Sequence, residues 1–238
     1  MPTRRTRLWP RTRKTDLVYV PRFNALDDLD AIRAMVRGVG AAELVTMGAD
    51  GYPSATRLPV IWDEDDGRLV FHLARANPQW RDVPDDAEVP ALAVVGDAEA
   101  YVSPSWYASK AEHGRVVPTW NYSAVHFTGR LRRHEDPAWL LDAVTRLTEL
   151  HEDRRAEPWA VADAPATYVE KQLRAIVGLE LTIERVEAKA KLSQNRSAED
   201  RAGVVAGLRA EGGPREAAVA AQMDAQMERR ATPAAGAH

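Results

Sequence analysis

Cysteine is absent from this chain of 238 residues, which excludes disulfides, thiolate metal sites, iron–sulfur clusters and a cysteine nucleophile. No apolar run approaches the roughly 20 residues that span a bilayer. Arg4 and Arg5 superficially suggest a twin-arginine signal, but Pro10-Arg11-Thr12-Arg13-Lys14 stands where its apolar segment would be. A soluble cytoplasmic protein is the expectation. There is no Gly-rich phosphate loop, no His-Glu-x-x-His, no nucleophile elbow and no internal repeat. A helix-turn-helix pattern is also missing.

What is present begins with uneven charge. The formal net charge is −3, yet residues 1–14 hold six basic groups (Arg4, Arg5, Arg7, Arg11, Arg13, Lys14) and no acid. The other 26 basic and 35 acidic side chains leave the body at −9. Such a body repels phosphate backbones, so nucleic-acid affinity would have to come from the arm or a local patch. A like-charge run of this kind reads first as a solvated, disordered leader.

The 45% apolar content is ordinary for a globular core. Asn24 can cap a helix over about 25–37, ended by Gly38 and Gly40. The apolar period then becomes that of strands: 42–47, 53–62 and 68–74, then short runs at 90–95 and 100–102 separated by Gly96-Asp97, and a longer one at 124–131 with Gly129 a candidate bulge. Strands crowded together without helices between them pair antiparallel, and closure into a barrel would remove their edges. Helices are expected at 137–152 and 168–175, and a strand at 177–186. Ser197 with Asp200 then caps a helix to about Arg209, and a marginal helix follows over 214–230. The fold class is mainly β with helices (α+β). Its parts are a basic disordered arm (1–16), a β-barrel domain with a helical subdomain (17–211), and an Ala/Gln-rich helical or disordered tail (212–238).

Four stretches carry the chemistry. Phe71 to Trp80 is a strand ending in Arg75, with Asn77 as a cap and Pro78 in the first helical turn. A cation beside orphan backbone N–H groups favours an anion such as phosphate; the plain alternative is a strand-to-helix junction with Trp80 packed on the barrel. Tyr101 to Tyr107 and Pro118 to Tyr122 bring together aromatics, Trp106 and Trp120 among them. These line a slot for a planar ring, seal a dimer interface, or simply pack. Lys189 to Asn195 sets Lys189 and Lys191 and three amide or hydroxyl groups between a strand and a helix; the plain reading is solvated lysines at a helix entry.

Val20-Pro21-Arg22-Phe23, Ala74 to Trp80, Tyr101 to Tyr107, Val117 to Tyr122 with His126, and Lys189 to Asn195 occur in one order. Together these motifs resemble the PaiB-type family, usually called FMN-binding negative transcriptional regulators, over about residues 17–210. The resemblance implies an FMN-binding split β-barrel of the flavin-reductase-like and pyridoxamine-phosphate-oxidase-like class. It also implies a homodimer with cofactor sites at the subunit interface. Carried over by position, the cofactor contacts fall on the junction residues His72, Leu73, Arg75, Asn77, Gln79 and Trp80 and on the second strand at Arg57. Trp106, Trp120 and Lys191 complete the set. Asn77, Gln79 and Trp80 stand where the wider class often places Ser or Lys.

The pattern is similar also to the haem-dependent piperazate synthases, in which a histidine matching His72 is the iron ligand. His72 is therefore a metal contact only if haem b is the cofactor. Three readings follow. One is a dimeric FMN-binding repressor, with DNA as a partner; another is an enzyme, either a haem-dependent N–N bond-forming synthase or a flavin-linked reductase. The third is a family member that holds no cofactor and works through protein contacts.

Overall fold

The computed structural model describes residues 18–231; the basic arm at 1–16 and the end of the tail at 232–238 lie outside the described residues. Seven strands form one sheet: β1 (Ala41–Met47), β2 (Pro53–Pro59), β3 (Ile61–Asp63), β4 (Arg68–Ala74), β5 (Val89–Val102), β6 (Thr119–His134) and β7 (Ile176–Lys191). Six α-helices accompany them: α1 (Leu29–Val39), α2 (Ser109–His113), α3 (Pro137–Glu152), α4 (Ala166–Arg174), α5 (Ala198–Glu211) and α6 (Pro214–Ala231). No described helix is long and apolar enough to cross a membrane.

The sheet order is β2-β1-β5-β6-β7-β4-β3. Its two ends, β2 and β3, are consecutive in the chain and separated only by Val60, whose N–H donates to the Gly40 carbonyl at 3.1 Å. A single residue thus carries the chain from one end of the order to the other, and the sheet curls into a barrel. The registers that the structure gives for β1·β2, β1·β5, β3·β4 and β4·β7 are all antiparallel. Alternation fills the interior with Leu44, Leu69, Phe71, Leu73, Phe127, Leu131, Leu179 and Leu181, all almost fully buried.

Several sequence expectations are corrected. Asn24 is no helix cap: it is buried in a 3₁₀ turn, Arg22–Asn24, and the Asp28 carboxylate accepts from Asp30 N–H (3.0 Å) and Ala31 N–H at the true helix start. The expected strand at 53–62 is two strands, because its halves pair with β1 and with β4. The Gly96-Asp97 break does not exist; β5 runs through it. Gly129 lies inside β6, where an added Cβ would come within 2.0 Å of the Thr182 carbonyl oxygen, so it marks a close approach of β7.

The chain divides into two compact units. One comprises Arg33–Val95 and His126–Glu187; the other comprises, among the described residues, 18–32, Gly96–Val125 and 188–231. In the first, α3 lays Ala143, Trp139, Leu147 and Leu150 on Ile61 and Val70. Asp136 caps α3 by accepting from Trp139 N–H at 2.9 Å, with Pro137 in the first turn. In the second, α5 and α6 close over Ala100, Val102 and Leu192, burying Val204, Leu208, Val219 and Met223. α6 is bound in place: Gln222 Nε2 donates to Asp97 (2.7 Å), Ser123 Oγ donates to Gln222 Oε1 (3.0 Å), and Asn121 Nδ2 reaches Met223 Sδ.

Candidate functional site

In the strand-to-helix junction after β4 most polar groups are already engaged, the buried Gln79 Oε1 and Arg133 Nε being exceptions among the described residues. Arg75 donates from Nε to the Arg174 carbonyl (3.0 Å), from Nη2 to the Ile176 carbonyl (3.2 Å), and from Nη1 to the Glu135 carboxylate (2.6 Å). Asn77 Oδ1 accepts from Gln79 N–H (3.0 Å) while its Nδ2 donates to Thr56 Oγ1 (3.0 Å). The buried Gln79 amide donates to the Leu44 carbonyl and Thr46 Oγ1, both at 3.0 Å. Trp80 Nε1 donates to the Arg75 carbonyl at 3.0 Å, and its ring is flanked by Arg75, Arg81 and Arg133 at 5.1–5.8 Å. Arg133 is itself paired with Asp85 and Glu135. Arg57 pairs across the ladder with Glu43 at 2.9 Å, and Leu73 is interior. An anion arriving here would have to displace Glu135 or Asp85.

The second unit offers a different arrangement. On β7, Lys189 and Lys191 alternate with the buried Ala190 and so share one face. Across from them β6 presents Trp120 and Tyr122. Lys189 Nζ donates to Tyr122 Oη (2.8 Å) and to the Tyr19 carbonyl (3.2 Å), and it lies 5.1 Å from the Tyr122 ring centroid. Lys191 Nζ donates to Thr119 Oγ1 and the Trp120 carbonyl. Burial, and then the neighbouring Lys189 charge, push the Lys191 ammonium below its usual range. Trp120 is 51% exposed and Tyr101 46%, with their rings edge to face at 6.2 Å. Directly after the lysines, Ser193 holds a φ of 62°, fixed by hydrogen bonds between its hydroxyl and the Asn121 amide. Strain of that kind is sustained only where surrounding structure over-determines it. Two cations that repel each other, beside an exposed aromatic pair, fit a ligand with an anionic group and a planar ring.

Of the other residues singled out in the sequence, Trp106 does not join this strip: its ring and carbonyl lie against Gly207 and Gly203 of α5, where an added Cβ would come within 2.3 and 2.0 Å. His72 faces a cavity of about 260 Å³ in the first unit, walled by α3, α4 and the segment between them. Burial holds its imidazole below the ordinary 6.5. Lys189, Tyr122 and Tyr101 are the members of the strip that the sequence reading did not single out as contacts. Their signal was the i, i+2 spacing of the lysines, which puts both on one strand face. Read as a helix entry, that spacing carries no meaning.

The family model described as "Putative FMN-binding domain" matches residues 18–185. The protease synthase and sporulation protein PAI 2 of Bacillus subtilis is 30% identical over 214 residues, covering 89% of this chain and 99% of that protein. Among solved structures, an FAD and haem binding protein from Mycobacterium smegmatis superposes with a TM-score of 0.54 at 17% identity, covering 80% of each chain. Flavocytochrome Anf3 from Azotobacter vinelandii gives 0.52 at 18% identity, over 79% of this chain and 80% of its own. At these identities the two structures report a shared split-barrel fold.

Proposed function

Because the chain belongs to this FMN-binding-domain family, we propose that it binds FMN along the β6–β7 strip and acts as a homodimeric negative regulator of transcription. One observation carries the cofactor half: Lys189 and Lys191 share a strand face beside the exposed Trp120–Tyr101 pair. The ammonium groups receive the phosphate, and the flavin ring lies against the indole. When bound, FMN supplies reversible one- and two-electron storage. Titration of the purified protein with FMN, followed by flavin fluorescence, tests this. Lys191→Ala should weaken binding tenfold or more, since a charge-assisted hydrogen bond contributes about 1.5–3 kcal/mol, and Trp120→Ala should weaken it too. Wild-type affinity in both variants would sink the assignment.

The regulatory half draws on charge. The arm at 1–14 is wholly basic and the rest of the chain acidic, so phosphate-backbone contact falls to the arm. Removing residues 1–14 should abolish operator binding in a gel-shift assay, and intact protein should lose affinity steeply as salt rises. Specific binding that survives the truncation moves recognition into the body. Dimerisation is supported by an uncovered apolar sheet face. Half-buried Val45, Leu92 and Val94 and exposed Met47 and Ala55 share it, with the Glu43–Arg57 pair at one end. A stable monomer at micromolar concentration in sedimentation would remove this part.

A further inference from the structure

We propose that the cavity facing His72 is a second ligand site, built for a small uncharged bicyclic aromatic molecule that carries one hydrogen-bond donor. All of its walls belong to the Arg33–Val95 and His126–Glu187 unit, so the inference does not rest on the FMN strip, whose residues belong to the other unit. The walls are mostly apolar: Val144, Leu173 and Ile176 are aliphatic, and Trp159 and Tyr168 supply ring faces. No lysine, arginine, aspartate or glutamate lines it, so a charged guest would sit there unpaired at high cost.

Into this space projects one imidazole. His72 has no hydrogen-bond partner among the described residues, although a half-buried polar ring inside a protein ordinarily finds one. Its neighbours on β4 explain its direction: Val70 packs beneath α3 and His72 follows on the same face, while Phe71 and Leu73 point inward. Kept neutral by burial, the ring offers one acceptor nitrogen and one N–H. The Thr148 hydroxyl, by contrast, is spent on the Val144 carbonyl at 2.7 Å. Gln172 and Tyr168 also line the cavity but are exposed residues at its rim, so the half-buried acceptor that the guest meets is the imidazole.

Size sets the rest. An apolar cavity of roughly 150 Å³ accepts benzene, so about 260 Å³ accommodates two fused rings. It falls short of the roughly 300–1,000 Å³ of pockets for drug-sized ligands.

Indole, isosteric indene and indole carboxylate serve as probes, titrated calorimetrically into the full-length protein. Indole should bind saturably and roughly tenfold more tightly than indene, the margin of one buried hydrogen bond. Indole carboxylate should not bind. His72→Leu should erase the indole–indene difference, and Ala164→Trp, which fills the cavity, should abolish both; FMN titration should be unchanged in each variant. Folding of the variants is checked by circular dichroism. Absence of saturable indole binding to folded wild-type protein overturns the proposal, as does an unchanged ratio in His72→Leu. A Soret band lost in His72→Leu also overturns it. Loss of FMN binding with indole binding intact would fail the FMN reading alone.

Discussion

Burial sets the charge state of the two histidines on the helix-covered side of the sheet. His72 is held below its ordinary pKa by desolvation, and so is His134, where burial outweighs the opposing Glu180 carboxylate. Below the ordinary value of 6.5 the unfolded chain therefore takes up protons that the folded chain refuses. Stability should fall as pH drops from that value towards the lowered ones. Urea unfolding on either side of 6.5 should show this slope, and His72→Leu should remove part of it; an unchanged slope would mean that the imidazole is not desolvated. Lys191 works in the opposite range. Its lowered pKa leaves it neutral earlier as pH rises, so FMN affinity should decline on the alkaline side, and Lys191→Arg should restore it. Arg75 is held by the Arg174 and Ile176 carbonyls and by Glu135. Arg75→Ala should cost about 1–3 kcal/mol of stability, by stranding the Arg174 and Ile176 carbonyls, and should leave FMN titration unaltered.

At the scale of elements, α3 illustrates what local chemistry dictates. Asp136, Pro137 and the apolar stripe from Trp139 to Leu150 define its start and its buried face, and the helix runs where they say. Asp136→Ala should cost about 1 kcal/mol, read from thermal or urea unfolding. Gly129→Ala should cost more, because its Cβ would meet the backbone of β7 rather than a movable side chain. β4 and the cap of α5 were equally legible, the latter because Ser197 accepts from Asp200 N–H. The extent of β6 was not. Asn121 and Ser123 read as loop residues, yet both point inward and are satisfied by Ser193, Met223 and Gln222, some seventy to one hundred positions away. A polar residue facing inward signals a strand only once its distant partner is known. Distance in sequence also hides the partners at the candidate site. Arg75 looked like an available cation because its partner Glu135 is far off in sequence, and Lys189 looked solvated because Tyr122 and Tyr19, to which it donates, are likewise distant.

The whole molecule depends on the segment that looked most dispensable. The marginal helix expected over 214–230 is no loose appendage, since Val219, Ala220 and Met223 are essentially inaccessible within the second unit's core. Met223→Ala should cost about 2–5 kcal/mol. Removing residues after Gly212 should leave Val204 and Leu208 uncovered, giving aggregation in light scattering and loss of FMN binding; a soluble truncated protein with intact affinity would contradict this. The weaving of the chain has a consequence for inheritance. Among the described residues the path passes between the units at Ile32–Arg33, Val95–Gly96, Val125–His126 and Glu187–Ala188, the last three inside β5, β6 and β7. Neither unit corresponds to a contiguous stretch of gene. A recombination breakpoint between codons 33 and 188 would hand each descendant fragments of both, so the two are transmitted together or lost together. Chimaeras of divergent relatives should survive only when all five exchanged segments respect those four boundaries.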